Sequence, residues 1–251
     1  MKISATIQAR MGSSRLPGKV LKKIHNISLL EWQVSRLKRS LLLDDIVVAT
    51  STNPDDKEIL ELCESLNIKC FRGSENDVLQ RVHDAFFSTG SDIHLELYGD
   101  SPFVDPLIID QFLGFFQKNY NSIDYLTNSI KTTFPPGSEF SIYKAECLRY
   151  ANENTEHHDP LREHVGINIT NKDFFRIKNM EAEGIFNEPN IYLEVDTIED
   201  FKMLSQLVPI VIDERGIDFG LKDLIEVSKM KPEISNQNKY VKRRWREFRK
   251  E

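Results

Sequence analysis

Three permanent cations and two widely separated carboxylates are the residues of this chain best suited to chemistry. Arg10, Arg15 and Lys19 lie within residues 7–21, IQARMGSSRLPGKVL. Gly12 and Gly18 open backbone angles closed to other residues, and Pro17 fixes one turn in advance. Fixed cations beside free backbone N–H groups make a cradle for a polyphosphate. Asp100 follows Gly99 in Tyr98-Gly-Asp-Ser-Pro102, where proline stiffens the loop. A carboxylate on a rigid turn suits Mg²⁺, which takes one or two carboxylates and fills its other positions with phosphate oxygens and water. Asp196, in Val195-Asp-Thr-Ile-Glu-Asp200, is the second carboxylate of this kind.

Two commoner phosphate loops do not fit. A Walker loop needs four residues between glycine and Gly-Lys, followed by Ser or Thr for the metal. Here five residues separate Gly12 from Gly18, Pro17 interrupts, and Val20 follows the lysine. The dinucleotide fingerprint G-x-G-x-x-G is absent. No D-x-D triplet of the glycosyltransferase kind stands beside Asp100. A basic surface loop is the plain alternative for residues 7–21.

The elements that must position these side chains follow from hydrophobic periodicity. Residues 3–7 read as a buried first strand. Leu29, Leu30, Trp32, Gln33, Leu37 and Leu41 form a helical stripe, with Arg36, Lys38 and Arg39 near its end, where cations suit the helix dipole. Residues 45–50 and 68–71 read as strands two and three. Ser51-Thr-Asn-Pro-Asp-Asp56 caps a helix between them that runs through Leu66. Arg72-Gly-Ser-Glu-Asn-Asp77 opens a helix burying Val78, Leu79, Val82, Ala85 and Phe86. Its Gly73-Ser74 turn is a second place for a nucleotide, although Ser-x-x-Asp is equally an ordinary helix cap. Residues 92–97 form the strand before Asp100, and Asp105-Pro106 caps a helix over 107–116.

Residues 191–195 read as a later strand. Asp100 and Asp196 would then both end strands of one sheet and could share an ion. The β-α-β-α alternation predicts an α/β class: an open, mostly parallel sheet with helices on both faces and ligands at the carboxyl ends of the strands. One domain spans the chain, which is long enough for a sizeable core.

Over residues 128–190 the alternation loosens into an α+β insertion. It has a turn at Phe134-Pro-Pro-Gly137, a strand over 139–143 and a helix over 145–152. Glu156-His-His-Asp159 and His164 invite a metal reading, but adjacent histidines point different ways and Pro160 breaks the helix that would align them. In the tail, residues 239–251, seven cations interleave with Tyr240, Trp245 and Phe248. A terminal amphipathic helix packing its aromatics on the domain is expected there.

Composition excludes several classes. With 40% apolar and 29% charged residues the chain is globular. A net charge of −6 argues against general nucleic-acid binding. No run reaches the ~20 apolar residues that span a bilayer, so no membrane partner is expected. Cys63, Cys70 and Cys147 have neither metal nor disulfide spacing and read as core residues of a cytoplasmic protein.

Residues 10–19 resemble the N-terminal signature of the cytidylyltransferases that activate acidic sugars. They are closest to the spore-coat polysaccharide biosynthesis protein F-like branch, related to the CMP-ketodeoxyoctonate (KDO) synthetases. Arg10, Ser14, Arg15, Leu16, Pro17, Gly18 and Lys19 fall where that signature has them. The resemblance extends through GSENDVLQR, the G-D-x-P-x-x-D-P pattern at Asp100, Arg162-Glu-His-Val165 and V-D-T-x-E-D at Asp196. It implies a GT-A-like nucleotide-diphospho-sugar transferase fold and transfer of CMP from CTP to an acidic sugar. It further implies Mg²⁺ on Asp100 and Asp196, and a homodimer. Nucleotide contacts would come from Ala9, Arg10, Gly12, Ser14, Arg15, Lys19, Ser74, Asp77 and Arg81, with Arg10, Lys19 and Asp100 catalytic. Tyr98, Glu139 and His164 would face the sugar beneath the insertion.

One departure stands out. Relatives of that branch read G-L-D-V-E-V where this chain has Gly137-Ser-Glu-Phe-Ser-Ile142. The first acidic position is Glu139, but the second is Ser141. The acceptor is therefore expected to be where this chain differs, with the triphosphate side unaffected. A non-catalytic nucleotide-binding protein is the alternative that Ser141 motivates, and a transferase for another base or acceptor would share every triphosphate-side residue.

Overall fold

The structure, a computed structural model, describes residues 1–243. In chain order it has β1 (Ile3–Gln8), a small hairpin of β2 (Lys23–Ile24) and β3 (Ile27–Ser28), then α1 (Leu29–Leu37), β4 (Asp45–Ser51), α2 (Lys57–Ser65), β5 (Lys69–Gly73), α3 (Val78–Phe87), β6 (Ile93–Tyr98) and α4 (Pro106–Lys118). There follow β7 (Tyr125–Thr127), β8 (Ser141–Lys144), α5 (Ala145–Asn154), α6 (Val165–Thr170), β9 (Ile177–Asn179), α7 (Ile198–Arg215), α8 (Leu221–Met230) and α9 (Pro232–Ser235).

Among the described residues the main sheet has the order β5-β4-β1-β6-β8-β7-β9. From β5 to β6, and between β7 and β9, the strands pair in parallel; β8 runs antiparallel to both of its neighbours. The sheet is thus mixed but mostly parallel. Strand alternation sorts its two faces. Ala5, Ile7, Leu95, Leu97 and Ile142 join the core beneath α1, α4, α7 and α8. Val47, Ala49, Tyr125 and Tyr143 join a second cluster with α3, α5 and α6. Residues 128–190 are woven into this frame, because they supply β8 and β9 to the same sheet.

Several expectations need correction. The first long helix stops at Leu37, and Leu41, assigned to its buried stripe, is 88% exposed. Past that point the chain turns at Ser40, whose hydroxyl is tied to Asp110, and Leu42 and Leu43 reach the core in place of Leu41. The strand expected over 139–143 begins only at Ser141, because Gly137 and Glu139 are spent on a tight turn. Residues 191–195 form no strand. Their amides are satisfied by carbonyls outside any ladder: Leu193 and Glu194 donate to Pro136, and Val195 donates to Asp100. The tail helix does not begin within residues 236–243, where Tyr240 is 87% exposed. Trp245 and Phe248 lie outside the described residues.

The cap expected at Asp105 is present, and α7 has one as well. Thr197 and Asp200 form a capping box on α7, and Asp105 caps α4 while accepting from the Leu221 amide. Cys63 and Cys147 are buried and Cys70 partly so. No helix of the described residues is long and apolar enough to cross a membrane.

Candidate active site

The loop after β1 is built around three backbone anchors. The Met11 carbonyl accepts from the Ser13 and Gly18 amides, each at 2.9 Å, which folds the loop on itself. The Met11 amide donates to Asp56 Oδ1 at 2.7 Å. Asp56, nearly fully buried, also accepts from the Ser51 amide and hydroxyl, so the loop is tethered to the end of β4. Gly18 adopts φ 65, and that left-handed turn leads into a short 3₁₀ turn at Lys19–Leu21. Lys19 is thereby carried inward and is 9% exposed.

There the Lys19 ammonium meets both distant carboxylates. Its Nζ lies 3.0 Å from Asp196 Oδ1 and 3.3 Å from Asp100 Oδ2. Arg15 Nη2 reaches Asp196 Oδ2 at 2.7 Å. Burial disfavours the Lys19 charge, but Asp100 and Asp196 outweigh it and raise the ammonium pKa. Burial likewise opposes the Asp196 carboxylate, and Lys19 with Arg15 outweighs it, so its pKa falls. Lys19 and Asp196 thus hold each other in their charged forms.

Two backbone contacts bring the carboxylates together. Gly99 sits so close to β1 that a Cβ there would lie 2.8 Å from the Gln8 carbonyl. That approach sets Asp100 beside the cationic loop. The Asp100 carbonyl then accepts from the Val195 amide at 2.8 Å, which places Asp196 next to it. The convergence expected from the sequence is present, although an extended segment and not a sheet strand produces it.

The other residues singled out from the sequence are distributed as follows. Ala9 is buried directly after β1, its amide bonded to the Ala49 carbonyl at 3.3 Å. Gly12 and Ser14 are exposed on the loop, and Arg10 is partly exposed. Arg81 is buried, and its pKa is lowered first by that burial and then by the charge of Arg10, so the two cations are neighbours. Ser74 is exposed; its hydroxyl accepts from the Asp77 amide at 3.1 Å. Asp77 caps α3 and accepts from Arg162 Nε with both oxygens at 2.9 Å. It therefore ties α3 to the Arg162-Glu-His-Val165 stretch.

Tyr98 is 38% exposed at the end of β6. Glu139 is buried and folds back on its own turn, accepting from the Gly137 amide at 2.6 Å. His164 is exposed where α6 begins. Ser141 is buried and satisfied by neutral partners: Tyr125 donates to its hydroxyl at 2.7 Å and it donates to Thr127 Oγ1 at 3.1 Å. The adjacent Glu156-His-His-Asp159 run has both histidines exposed.

Sequence reading missed Glu96. It is fully buried on β6 opposite Ser141 and accepts from Gln8 Nε2 at 2.6 Å and from the Tyr143 hydroxyl at 2.9 Å. Burial drives its pKa up to about 7, although donors from Tyr143, Gln8 and Tyr98 resist the shift. Its alternation with His94 and Tyr98 on one strand face was the available signal. Asp56 and Arg243 were also passed over, the first as a helix-start residue and the second as one cation of the tail.

The donor set suits a polyphosphate with a divalent ion. Asp100 and Asp196 already point at one cation, the Lys19 ammonium, and Mg²⁺ needs no more than two carboxylates when phosphate completes its shell. Among the described residues no group of three or more ligating side chains gathers. Arg15 Nη1 is buried without a hydrogen-bond partner and is a ready donor to an anion.

A mixed, mostly parallel α/β sheet with a cationic loop and paired aspartates at its carboxyl edge defines a nucleotide-binding fold of the GT-A-like kind. Residues 5–241 match the cytidylyltransferase family, and the chain belongs to that family as a nucleotidyltransferase enzyme. It is 32% identical to the spore coat polysaccharide biosynthesis protein SpsF of Bacillus subtilis, over 80% of this chain and 84% of that protein. It is 26% identical to the 8-amino-3,8-dideoxy-manno-octulosonate cytidylyltransferase of Shewanella frigidimarina, covering 91% of each. A solved cytidylyltransferase structure from Leptospira borgpetersenii superposes with a TM-score of 0.87 at 32% identity, covering 97% of this chain and all of that one.

Proposed function

We propose that this cytidylyltransferase moves CMP from CTP to a hydroxyl of an acidic sugar, of the ulosonic or nonulosonic type, and releases pyrophosphate. The observation that carries the reading is the Lys19 ammonium between Asp100 and Asp196, with Arg15 alongside. In the reaction the sugar oxygen forms a bond to the α-phosphorus while the bond from that phosphorus to the bridging oxygen of the β-phosphate breaks. The hydroxyl proton passes to solvent, and pyrophosphate leaves with the bond electrons.

Asp100 and Asp196 would hold Mg²⁺, which polarises the α-phosphate and acidifies the attacking hydroxyl when bound. Lys19 and Arg15 neutralise the triphosphate and the charge that gathers on departing pyrophosphate. Their contribution is positioning and electrostatics in a partly dry site. Arg10, partly exposed on the same loop, would add a further cation, with buried Arg81 behind it. The Met11–Asp56 anchor keeps the loop from reorganising as the phosphates arrive. Tyr98, Glu139 and His164 would meet the sugar. Kinship with a cytidylyltransferase for an amino-dideoxy-octulosonate supports an acidic acceptor, and kinship with SpsF supports use in a surface polysaccharide. Two chains are expected to pair through the 128–190 region, in the cytoplasm.

Pyrophosphate release with Mg²⁺, measured for each of the four nucleoside triphosphates against a panel of keto-acid sugars, tests the proposal. It predicts release with CTP and at least one such acid. Release only with another nucleotide, or only with a phosphorylated neutral sugar, would replace it with a different nucleotidyl transfer. CTP binding without release with any acceptor would leave a nucleotide-binding protein.

A further inference from the structure

The segment that carries Asp196 lacks the support its partner enjoys. Asp100 follows a strand paired on both sides, whereas residues 191–195 belong to no ladder. Backbone bonds to Pro136 and Asp100 hold residues 193–195, and side chains brace the stretch that follows. The Asp196 and Thr197 amides both donate to Asp200 Oδ2, at 3.1 and 2.9 Å. Asp200 is completely buried, and a buried carboxylate needs a cationic partner.

That partner is Arg243. Its Nη2 lies 2.8 Å from Asp200 Oδ1 and its Nη1 3.1 Å from Asp200 Oδ2, a two-pronged pair. Nη1 also lies 3.0 Å from Glu194 Oε1, and the guanidinium stacks over the Tyr192 ring at 4.4 Å. Asn238 adds a bond from its Nδ2 to Asp200 Oδ1 at 2.8 Å. The Arg243 side chain is 1% exposed. Among the described residues its charged and aromatic partners, at positions 192, 194 and 200, flank Asp196. Arg243 lies two residues beyond the stretch that matches the family.

We infer that Arg243 is a positioning residue for Asp196, clamping segment 192–200 so that its aspartate stays beside Asp100 and Lys19. The guanidinium does for this segment what ladder hydrogen bonds do for β6. This role rests on the proposed nucleotidyl transfer for its consequence in turnover, but the clamp itself can be read without activity.

Amide hydrogen exchange followed by mass spectrometry, on the full chain and its Arg243→Ala and Arg243→Lys variants, tests the clamp. Arg243→Ala should speed exchange in residues 192–200 by roughly tenfold or more, since bonds to a charged group are lost, and leave β1 unchanged. Arg243→Lys keeps the charge but not the fork, and should fall between the two. In pyrophosphate release, Arg243→Ala should lose roughly ten- to hundredfold in kcat or in apparent Mg²⁺ affinity. Free guanidinium, well below denaturing concentration, should restore part of that loss. CTP concentration dependence should change little, because the loop after β1 is untouched.

Unchanged exchange in 192–200 with unchanged turnover overturns the inference. So does global unfolding of both variants, which would make Arg243 a residue of the whole fold. If wild-type chain releases no pyrophosphate while exchange responds as predicted, the nucleotidyl-transfer reading has failed and the clamp stands.

Discussion

The Val195 amide donates to the Asp100 carbonyl at 2.8 Å, and this one bond joins the two carboxylate-bearing segments of the site. It sets the approach of the two segments through the backbone, without help from Lys19. Side-chain changes at Lys19 can therefore alter the charge between the aspartates without moving the segments that carry them.

Lys19→Ala tests that separation. The variant should still fold but lose about 1–3 kcal/mol, since Asp196 keeps Arg15 and loses the other of its two cations while staying buried beside Asp100. Turnover should fall by roughly a hundred- to a thousandfold, the loss typical of one oriented donor in a transition state. Steady-state kinetics with a thermal melt on the same sample checks both halves. A large drop in melting temperature with intact turnover would contradict the placement of Lys19.

Burial holds the Glu96 proton up to about 7, well above its ordinary 4.5. Between those values the native chain keeps a proton that the unfolded chain releases. Stability from this group is therefore fully present below the unfolded pKa and is lost as pH rises through 7. The full effect is about 3 kcal/mol, at 1.36 kcal/mol per pKa unit. Glu96→Gln should lose that slope, gaining on wild type between about pH 5 and about pH 8 in denaturant midpoints. Parallel pH profiles for the two proteins would show that Glu96 does not titrate as described.

Ser141→Glu returns an acid to the position where the branch has one. Here it would face Glu96 across an antiparallel pair, and once Glu96 loses its proton, above about pH 7, two like charges would stand directly opposite and repel. The single variant should lose about 2–3 kcal/mol, the cost of a poorly compensated buried charge. Combining it with Glu96→Gln should recover a substantial part, so a double-mutant cycle gives a coupling above about 0.5 kcal/mol. Additive effects would mean that the two positions do not sense each other.

Gly137 has φ +100, and a Cβ there would lie 2.3 Å from the Glu194 amide nitrogen. Gly137→Ala should cost about 3 kcal/mol or more, from left-handed strain together with a backbone clash. Chemical denaturation measures it directly. Its damage should concentrate on residues 193–196, which pack against that turn.

Much of this was legible in residue types. The strand–loop–helix order around Arg10, Arg15 and Lys19 needed only Gly, Pro and an apolar run, and Asp105 announced itself as a cap. The pairing of Asp100 with Asp196 was visible as two similar motifs. Its cause was not, because residues 191–195 have strand composition yet spend their amides on Pro136 and Asp100. Glu96 was hidden because a charged residue inside a strand reads as solvent-facing until Tyr143 and Gln8 are seen to cover it. Asp77 looked nucleotide-facing from its motif, while its carboxylate is engaged by Arg162 across a sequence distance that no local pattern reveals. Arg243 was one cation among seven in the tail, and only its burial sets it apart.

The central claim is that Asp100 and Asp196 serve one divalent ion beside a triphosphate held by Lys19 and Arg15. A crystal structure of the chain with CTP and Mn²⁺, read by anomalous scattering, tests it most directly. One strong peak should touch a carboxylate oxygen of each aspartate and a phosphate oxygen, with the Lys19 ammonium turned from the carboxylates to the phosphates. A peak bound away from either aspartate, or a triphosphate lying clear of the loop after β1, would contradict the account.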